Sequence, residues 1–348
     1  MLSNAEIRAT VDSIADQQQR DGLILWFPGG HADPWNHIEA AMALDLGGRR
    51  DDAERAYQWL VDRQRPDGSW HHYYLADGIE DPKFDANVIA YVAAGALHHF
   101  QLTGDRGFLE TMWPVVDRAV GWVLELQTAR GEIIWARHPD GAPWPFALLT
   151  GSSSTLHSLH CAVVVAELMG EERPDWELSA DLLANVIATC PQAFEPKDRW
   201  AMDWYYPVLG GALRGDAGRR RLDDGWDTFV MEGKGVRCVS DRPWMTVAET
   251  CECVMALLAV GDEDRAWDLF RWSQALRCDD GAYYTGMVYP QLKTFPGGER
   301  STYTAAAVVL AHDALTGTSA ASGMFVEQRD QFGRPRDGAD VVSPEPRR

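Results

Sequence analysis

Apolar residues recur along this chain at helical spacing, in two alternating kinds of segment. Segments near 4–19, 51–64, 106–127, 175–190, 216–230 and 263–276 carry apolar side chains on one face and charges on the other, the pattern of helices half in solvent. Each is followed, after a turn and a loop, by a second segment, near 34–46, 86–102, 154–169, 203–213, 244–260 and 301–316. The second set is apolar on all sides and rich in Ala, Val and Gly, as in "VIAYVAAGAL", "HCAVVVAEL" and "YTAAAVVLAHDAL". Helices with no polar face are buried, and small residues let them approach closely. Six exposed helices alternating with six buried ones predict an all-α fold, an (α/α)6 barrel over residues 1–316.

A short repeat punctuates the alternation. "QQRDGLI" (Gln18–Ile24), "QRPDGSW" (Gln64–Trp70) and "QTARGEI" (Gln127–Ile133) share the form Q-x-x-x-G-x-apolar, and "RCDDGAY" (Arg277–Tyr283) is a degraded copy, as is the stretch around Gly235. The glycines at 22, 68, 131, 235 and 281 are 46, 63, 104 and 46 residues apart, so the 104-residue gap spans about two repeats. All loops that follow these turns should emerge at one end, around the N-termini of the inner helices. They are long and aromatic ("LILWFPGGHADPW", "SWHHYYLADGIEDPKFDAN", "RWAMDWYYP"), whereas the opposite connections are short ("LTGDRG", "AVGDED"). Long loops on one face mark the functional face.

The starts of the inner helices on that face carry Asp33, Asp85, Asp203 and the pair Glu249 and Glu252, with Glu299 just before the last. Asp33 before Pro34 is also a good N-cap, and Asp85 in "FDANVIA" reads equally well as a cap. Glu249 and Glu252 stand one turn apart inside an otherwise apolar helix, where ionised carboxylates are costly without a purpose. Two carboxylates across an aromatic cavity are what glycoside hydrolysis requires: one protonates the leaving oxygen, the other activates water or attacks the sugar. Asp33, Glu249, Glu252 and Asp203 are therefore the catalytic candidates. Trp35, Trp70, Tyr74, Trp204, Tyr205, Trp244 and Tyr284 are candidates to stack on sugar faces, and Asn36, His37, Asp85, Asn87 and His157 to bind hydroxyls. Asp45 and Asp313, at the other ends of their helices, read as structural.

Composition narrows the choice. A net charge of −20 argues against nucleic-acid and anionic-membrane partners, which need a basic footprint. The six cysteines form no pair of C-x-x-C motifs and read as reduced, buried thiols; no metal or cofactor is implied. His157 and His160 share a helical face without a carboxylate motif, which favours core histidines over ligands. The N-terminus lacks the charged and apolar regions of a signal peptide, and no apolar run reaches the roughly 18 residues of a membrane span, so a cytoplasmic protein is expected. From about Gly317 the chain turns Gly-, Ser-, Pro- and charge-rich and is expected to be a loosely attached tail, 317–348.

Two resemblances bear on function. The Q-x-x-x-G-x-W form resembles the repeat of squalene and hopene cyclases, and protein prenyltransferase β subunits share the barrel. The cyclases' D-x-D-D motif is absent, however, and the one D-D-x-x-D match, Asp223 to Asp227, falls in an outer helix. The stretches "GGHADPWNHIEAAMALDLGGR", "DGSWHHYY", "DPKFDANVIAYVA" and "AMDWYYPVLGGALRG" resemble an actinobacterial group, often labelled prenyltransferase-like, of methylmannose polysaccharide hydrolases. That resemblance covers about residues 1–316. It implies an (α/α)6 α-1,4-endomannosidase acting on a partly methylated oligo- or polysaccharide, with the catalytic acids at Asp33 and at Glu249 or Glu252. An inverting pair stands roughly 6.5–9.5 Å apart and a retaining pair about 5–5.5 Å. The competing expectations are an isoprenoid cyclase or prenyltransferase with a closed apolar pocket, and a non-catalytic carbohydrate-binding barrel.

Overall fold

The computed structural model of the chain describes residues 1–327. Its helices are α1 (Asn4–Ala15), α2 (Pro34–Leu46), α3 (Arg50–Arg63), α4 (Ala86–Ala90), α5 (Val92–Thr103), α6 (Arg106–Leu124), α7 (Leu149–Met169), α8 (Pro174–Thr189), α9 (Ala201–Leu209), α10 (Gly215–Phe229), α11 (Val247–Ala259), α12 (Glu263–Ser273) and α13 (Thr302–Thr316). The inner set α2, α4–α5, α7, α9, α11 and α13 is the small, apolar one, and its residues supply nearly half of the buried apolar core. Packing runs from α2 to α5, α7, α9, α11 and α13 in turn, and from α13 back to α2. The outer helices lie against them: α1 on α2 and α13, α3 on α2, α6 on α5 and α7, α8 on α7, α10 on α9, and α12 on α11 and α13.

The repeat is a staple between outer helices. Gln18 Nε2 donates to Gly22 O (3.1 Å) in its own turn and to Asp52 O (2.8 Å) on α3. Gln64 does the same to Gly68 O (3.0 Å) and Val115 O (2.8 Å) on α6, and Gln127 to Gly131 O and Ser179 O on α8, both at 2.9 Å. One amide thus ties the turn's backbone carbonyl to a carbonyl of the next outer helix. The glycine is required twice over at Gly68: its φ is +95°, and a Cβ there would collide with the Arg118 carbonyl. The degraded copy after α12 closes the circle. Gly281 (φ +91°) lies against Ala9 of α1, Thr10 Oγ1 donates to Gly281 O (2.9 Å), and Arg277 reaches Glu6 O at 3.3 Å.

Three expectations need correction. The fold is not purely α: the long loops pair into short strands, β1 (Tyr73–Leu75), β2 (Gly78–Asp81), β3 (Phe84–Asp85), β4 (Ala136–Arg137), β5 (Val230–Met231), β6 (Gly235–Val236), β7 (Trp244–Thr246), β8 (Tyr284–Val288) and β9 (Lys293–Arg300). Pairing satisfies backbone groups in loops too long to leave them all to solvent; β7, β8 and β9 form one antiparallel sheet. The segment predicted as a helix from 244 therefore starts as a strand and turns helical at Val247. Finally, packing continues past 316: Met324 and Phe325 are buried, and Arg214 donates to the carbonyls of Val326 and Glu327. The remainder of the expected tail, 328–348, lies outside the described residues. Among the described residues no helix is long and apolar enough to cross a membrane.

Candidate active site

The N-termini of α2, α4 and α9 converge on an open cavity of about 460 Å³. Asp33, Asp85 and Asp203 line it together with Trp35, Asn36 and Asn87. Asp33 is the N-cap of α2, accepting from Asn36 N at 3.0 Å. Its other oxygen accepts from Asn36 Nδ2 (2.7 Å) and from the indole of Trp26 (2.9 Å). Capping alone would leave that second oxygen to solvent; here two neutral donors aim it. Burial pushes the Asp33 carboxyl up, and these hydrogen bonds oppose the shift by favouring the charged form.

Asp85 is built the same way. It caps α4 through Asn87 N (3.0 Å) and accepts from the Trp135 indole at 2.5 Å. Burial raises it to about 6. His72 Nδ1 lies 3.9 Å away, but burial and then Lys83 hold that imidazole down at about 3, so it stands neutral beside the carboxyl. Asp203, in the first turn of α9, accepts from Thr150 Oγ1 (2.6 Å) and is raised by burial.

Behind Asp33 the ring interior holds a second carboxylate group. Glu39 accepts from Trp35 Nε1 (2.9 Å) and Tyr91 Oη (3.0 Å), both on Oε1. Glu252, on α11, accepts from the hydroxyls of Tyr205 and Tyr206. Burial raises both; Asp33 adds to the rise of Glu39, and Glu39 to that of Glu252. Glu249, one turn earlier on α11, is half-buried and also raised by burial. Tyr303 packs its ring on Trp26 at 4.9 Å, and its ionisation is opposed by burial and then by Glu249 and Glu299. Glu299 itself accepts from Thr285 Oγ1 at 2.9 Å.

The Glu39–Glu252 pair has a consequence for stability. A carboxyl whose pKa is higher in the fold than in the unfolded chain is stabilising while protonated, and that stability is lost as pH rises through the folded value. For Glu39 the window runs from about pH 4.5 to about 7. Thermal unfolding should show Tm declining across that window. Glu39→Gln, whose Oε1 can still accept both hydrogen bonds, should flatten the decline and recover roughly 1–3 kcal/mol at pH 8. An unchanged slope in the variant would show that the pair is not the source.

Other predicted residues serve the framework instead of the cavity. His37 is fully buried, with Nδ1 accepting from Ile24 N (3.1 Å) and Nε2 facing Ala56 O (2.8 Å). Trp70 is fully buried and donates to Leu60 O, and Tyr74 Oη accepts from His71 N. Trp204 is buried with its indole on Arg221 O, and Tyr205 is occupied by Glu252. His157 lies buried in α7 stacked on Phe325, 4.8 Å between ring centres. Trp244 and Tyr284 sit on the β7–β8–β9 sheet, where Trp244 stacks on Phe295. In all of these but Tyr284, a polar tip is consumed by a neighbouring backbone or carboxylate, or a ring by a neighbouring ring.

The residues that sequence reasoning missed are Trp26, Glu39, His72 and Trp135. Three of them share a signal in the repeat: each lies four positions after its turn glycine, Gly22, Gly68 or Gly131, where the chain enters the cavity. The fourth such position, Thr285 after Gly281, holds Glu299. Glu39 had the same mark as Glu252, a carboxylate within an aliphatic helix.

Comparison with known proteins places the chain among glycoside hydrolases. Over 325 residues the chain is 50% identical to the MMP endo-(1,4)-3-O-methyl-α-D-mannosidase of Mycolicibacterium hassiacum, covering 93% of this chain and 90% of that protein. No established sequence-family profile matches it. Among solved structures, a glycosidase variant superposes with a TM-score of 0.69 at 16% identity, covering 90% of this chain and 96% of that one. The cellobiose 2-epimerase of Spirochaeta thermophila superposes with a TM-score of 0.67 at 14% identity, again over 90% of this chain and 96% of that one. The structural likenesses speak for the fold, and the long, close sequence match speaks for more: the chain belongs to the family of the MMP endo-(1,4)-3-O-methyl-α-D-mannosidase, a glycoside hydrolase family.

Proposed function

We propose that this protein is an (α/α)6-barrel hydrolase that cleaves α-1,4-mannosidic bonds inside a 3-O-methylated mannan, with inversion at the anomeric carbon. The observation that carries the reading is the 50% identity, sustained over nearly both full chains, to a relative named for that activity. The cavity supports it chemically: the carboxyls of Asp33, Asp85 and Asp203 face a wall of indoles and the Tyr73 phenol suited to sugar C–H and methyl-ether surfaces. In this reading Asp33 is the base. The donors Asn36 and Trp26 favour its charged form and orient it toward a water. Glu249 is the proton donor, its carboxyl shifted upward by burial. Asp85, Asn36 and Asn87 bind hydroxyls, and Glu39 with Glu252 form the polar floor.

The isoprenoid alternative has no comparable support. Asp223 of the D-D-x-x-D match pairs with Arg265 at 2.7 Å on the outer surface, and the cavity is open and lined with carboxylates. Incubation with methylated α-1,4-mannan oligosaccharides and, separately, with polyprenyl diphosphates tests both readings. New reducing ends only with the mannans are expected, and proton NMR of the first product should show the β-anomer. An α-anomer would overturn inversion; turnover of the diphosphates would overturn the reading itself.

A further inference from the structure

A larger cavity, about 960 Å³, lies at the rim of the same face, between the loop that leaves α8 (191–198) and the last turns of α10. Lys197 and Asp203 line both this groove and the catalytic cavity, so the two adjoin along a shared wall. The groove is a built feature. Its loop is held to the strand before α7 by Glu195 N donating to Ala147 O (2.9 Å), and Gly225 of α10 packs so closely on the Trp204 ring that a side chain there would collide.

Its lining says what kind of ligand fits. Ile134, Phe146, Phe194 and Phe229 give it apolar walls. Its arginines are already engaged: Arg130 is held by both oxygens of Glu132 (2.5 and 3.0 Å), and Arg221 donates to the carbonyls of Asp203 (2.9 Å) and Trp204 (3.1 Å). Guanidinium groups satisfied in this way do not offer an anion site, and apolar walls with a polar rim suit an uncharged, amphipathic ligand. The catalytic cavity, at about 460 Å³, is in the lower half of the range that holds a drug-sized ligand, roughly 300–1,000 Å³. An enzyme that cuts inside a chain must give the remainder somewhere to go.

We propose that this groove binds the stretch of uncharged, O-methylated glycan that leaves the catalytic cavity past Lys197 and Asp203. The inference rests on the functional reading above, and it makes the groove a determinant of chain-length preference. Two substitutions would fill it from positions outside the catalytic cavity: Ala193→Trp on the partly exposed loop and Thr228→Trp on the exposed face of α10. The test compares a long methylated α-1,4-mannan with a short oligosaccharide, by kcat/KM and by calorimetric binding to each intact protein. The long-over-short ratio should fall about tenfold or more in both variants, the scale of one well-packed contact, with Tm preserved. Hydrolysis by the unmodified protein with equal ratios in all three proteins would overturn the groove and leave the hydrolase reading standing. Tighter binding of the long chain, abolished by the tryptophans but without hydrolysis, would keep the groove and overturn the reading. Absence of both binding and hydrolysis would overturn both.

Discussion

Asp33→Asn is expected to lower kcat for mannan hydrolysis by about 10²–10⁴-fold, the usual contribution of a positioned general base, while leaving the fold intact. The two parts of this expectation come from different oxygens. Asparagine is as good an N-cap as aspartate, so the bond from Asn36 N that starts α2 can persist, and Tm should move by only a few degrees. What the amide cannot do is accept a proton from water. Its NH2 would also face the Trp26 and Asn36 donors that now aim the carboxylate. The loss should be independent of the leaving group, because the base acts on water and not on the departing oxygen. Steady-state kinetics on an oligosaccharide and on the corresponding glycosyl fluoride will check this. Full activity in the variant would remove Asp33 from the mechanism.

Glu249→Gln is expected to produce a loss of similar size on the natural glycosidic bond, about 10²–10⁴-fold in kcat/KM, but with a different signature. A sugar hydroxyl leaves only with a proton, whereas fluoride leaves without much help. The deficit on a mannosyl fluoride should therefore be far smaller than on the oligosaccharide. The pH profile should change as well. An acid must be protonated to act, so activity falls as pH rises through its pKa, and burial has moved the Glu249 carboxyl upward, toward working pH. The alkaline limb of the kcat/KM profile should belong to Glu249 and disappear in the variant. If the limb persists and the fluoride is equally impaired, the donor lies elsewhere, with Asp203 and Glu252 the next to test. Glu252 is the less suited of the two, because both its oxygens are taken by the hydroxyls of Tyr205 and Tyr206.

Much of the architecture could be read without coordinates. The alternation of half-polar and wholly apolar helices, the glycine turns and the one-sided long loops all appear in the structure, with most helix ends within a few residues of where periodicity places them. These features are local. A helix's apolar face and a glycine's positive φ are set by neighbours a few positions away, and the repeat enforces the same solution several times. The apolar pattern of 154–169 nevertheless missed the first turn of α7, which starts at Leu149 and is too polar to carry an apolar signal; Ser153 and Thr155 there donate to the carbonyls of Leu149 and Gly151.

Side-chain roles were less legible, and the reason is distance along the chain. His37, one residue from Asn36, looks like a cavity residue until Ile24 and Ala56 are found to occupy both its nitrogens. Tyr205 looks like a sugar platform until Glu252, 47 residues away, claims its hydroxyl. The sequence alone determined where carboxylates and aromatics enter the ring, because helix starts are written in caps, prolines and glycines. Only the tertiary structure decided which of them remain available, because a polar group's partner is chosen by proximity in the folded chain. Thus Asp33, which any reader of the sequence would make a cap, is also a carboxylate aimed into the cavity by an indole seven residues before it.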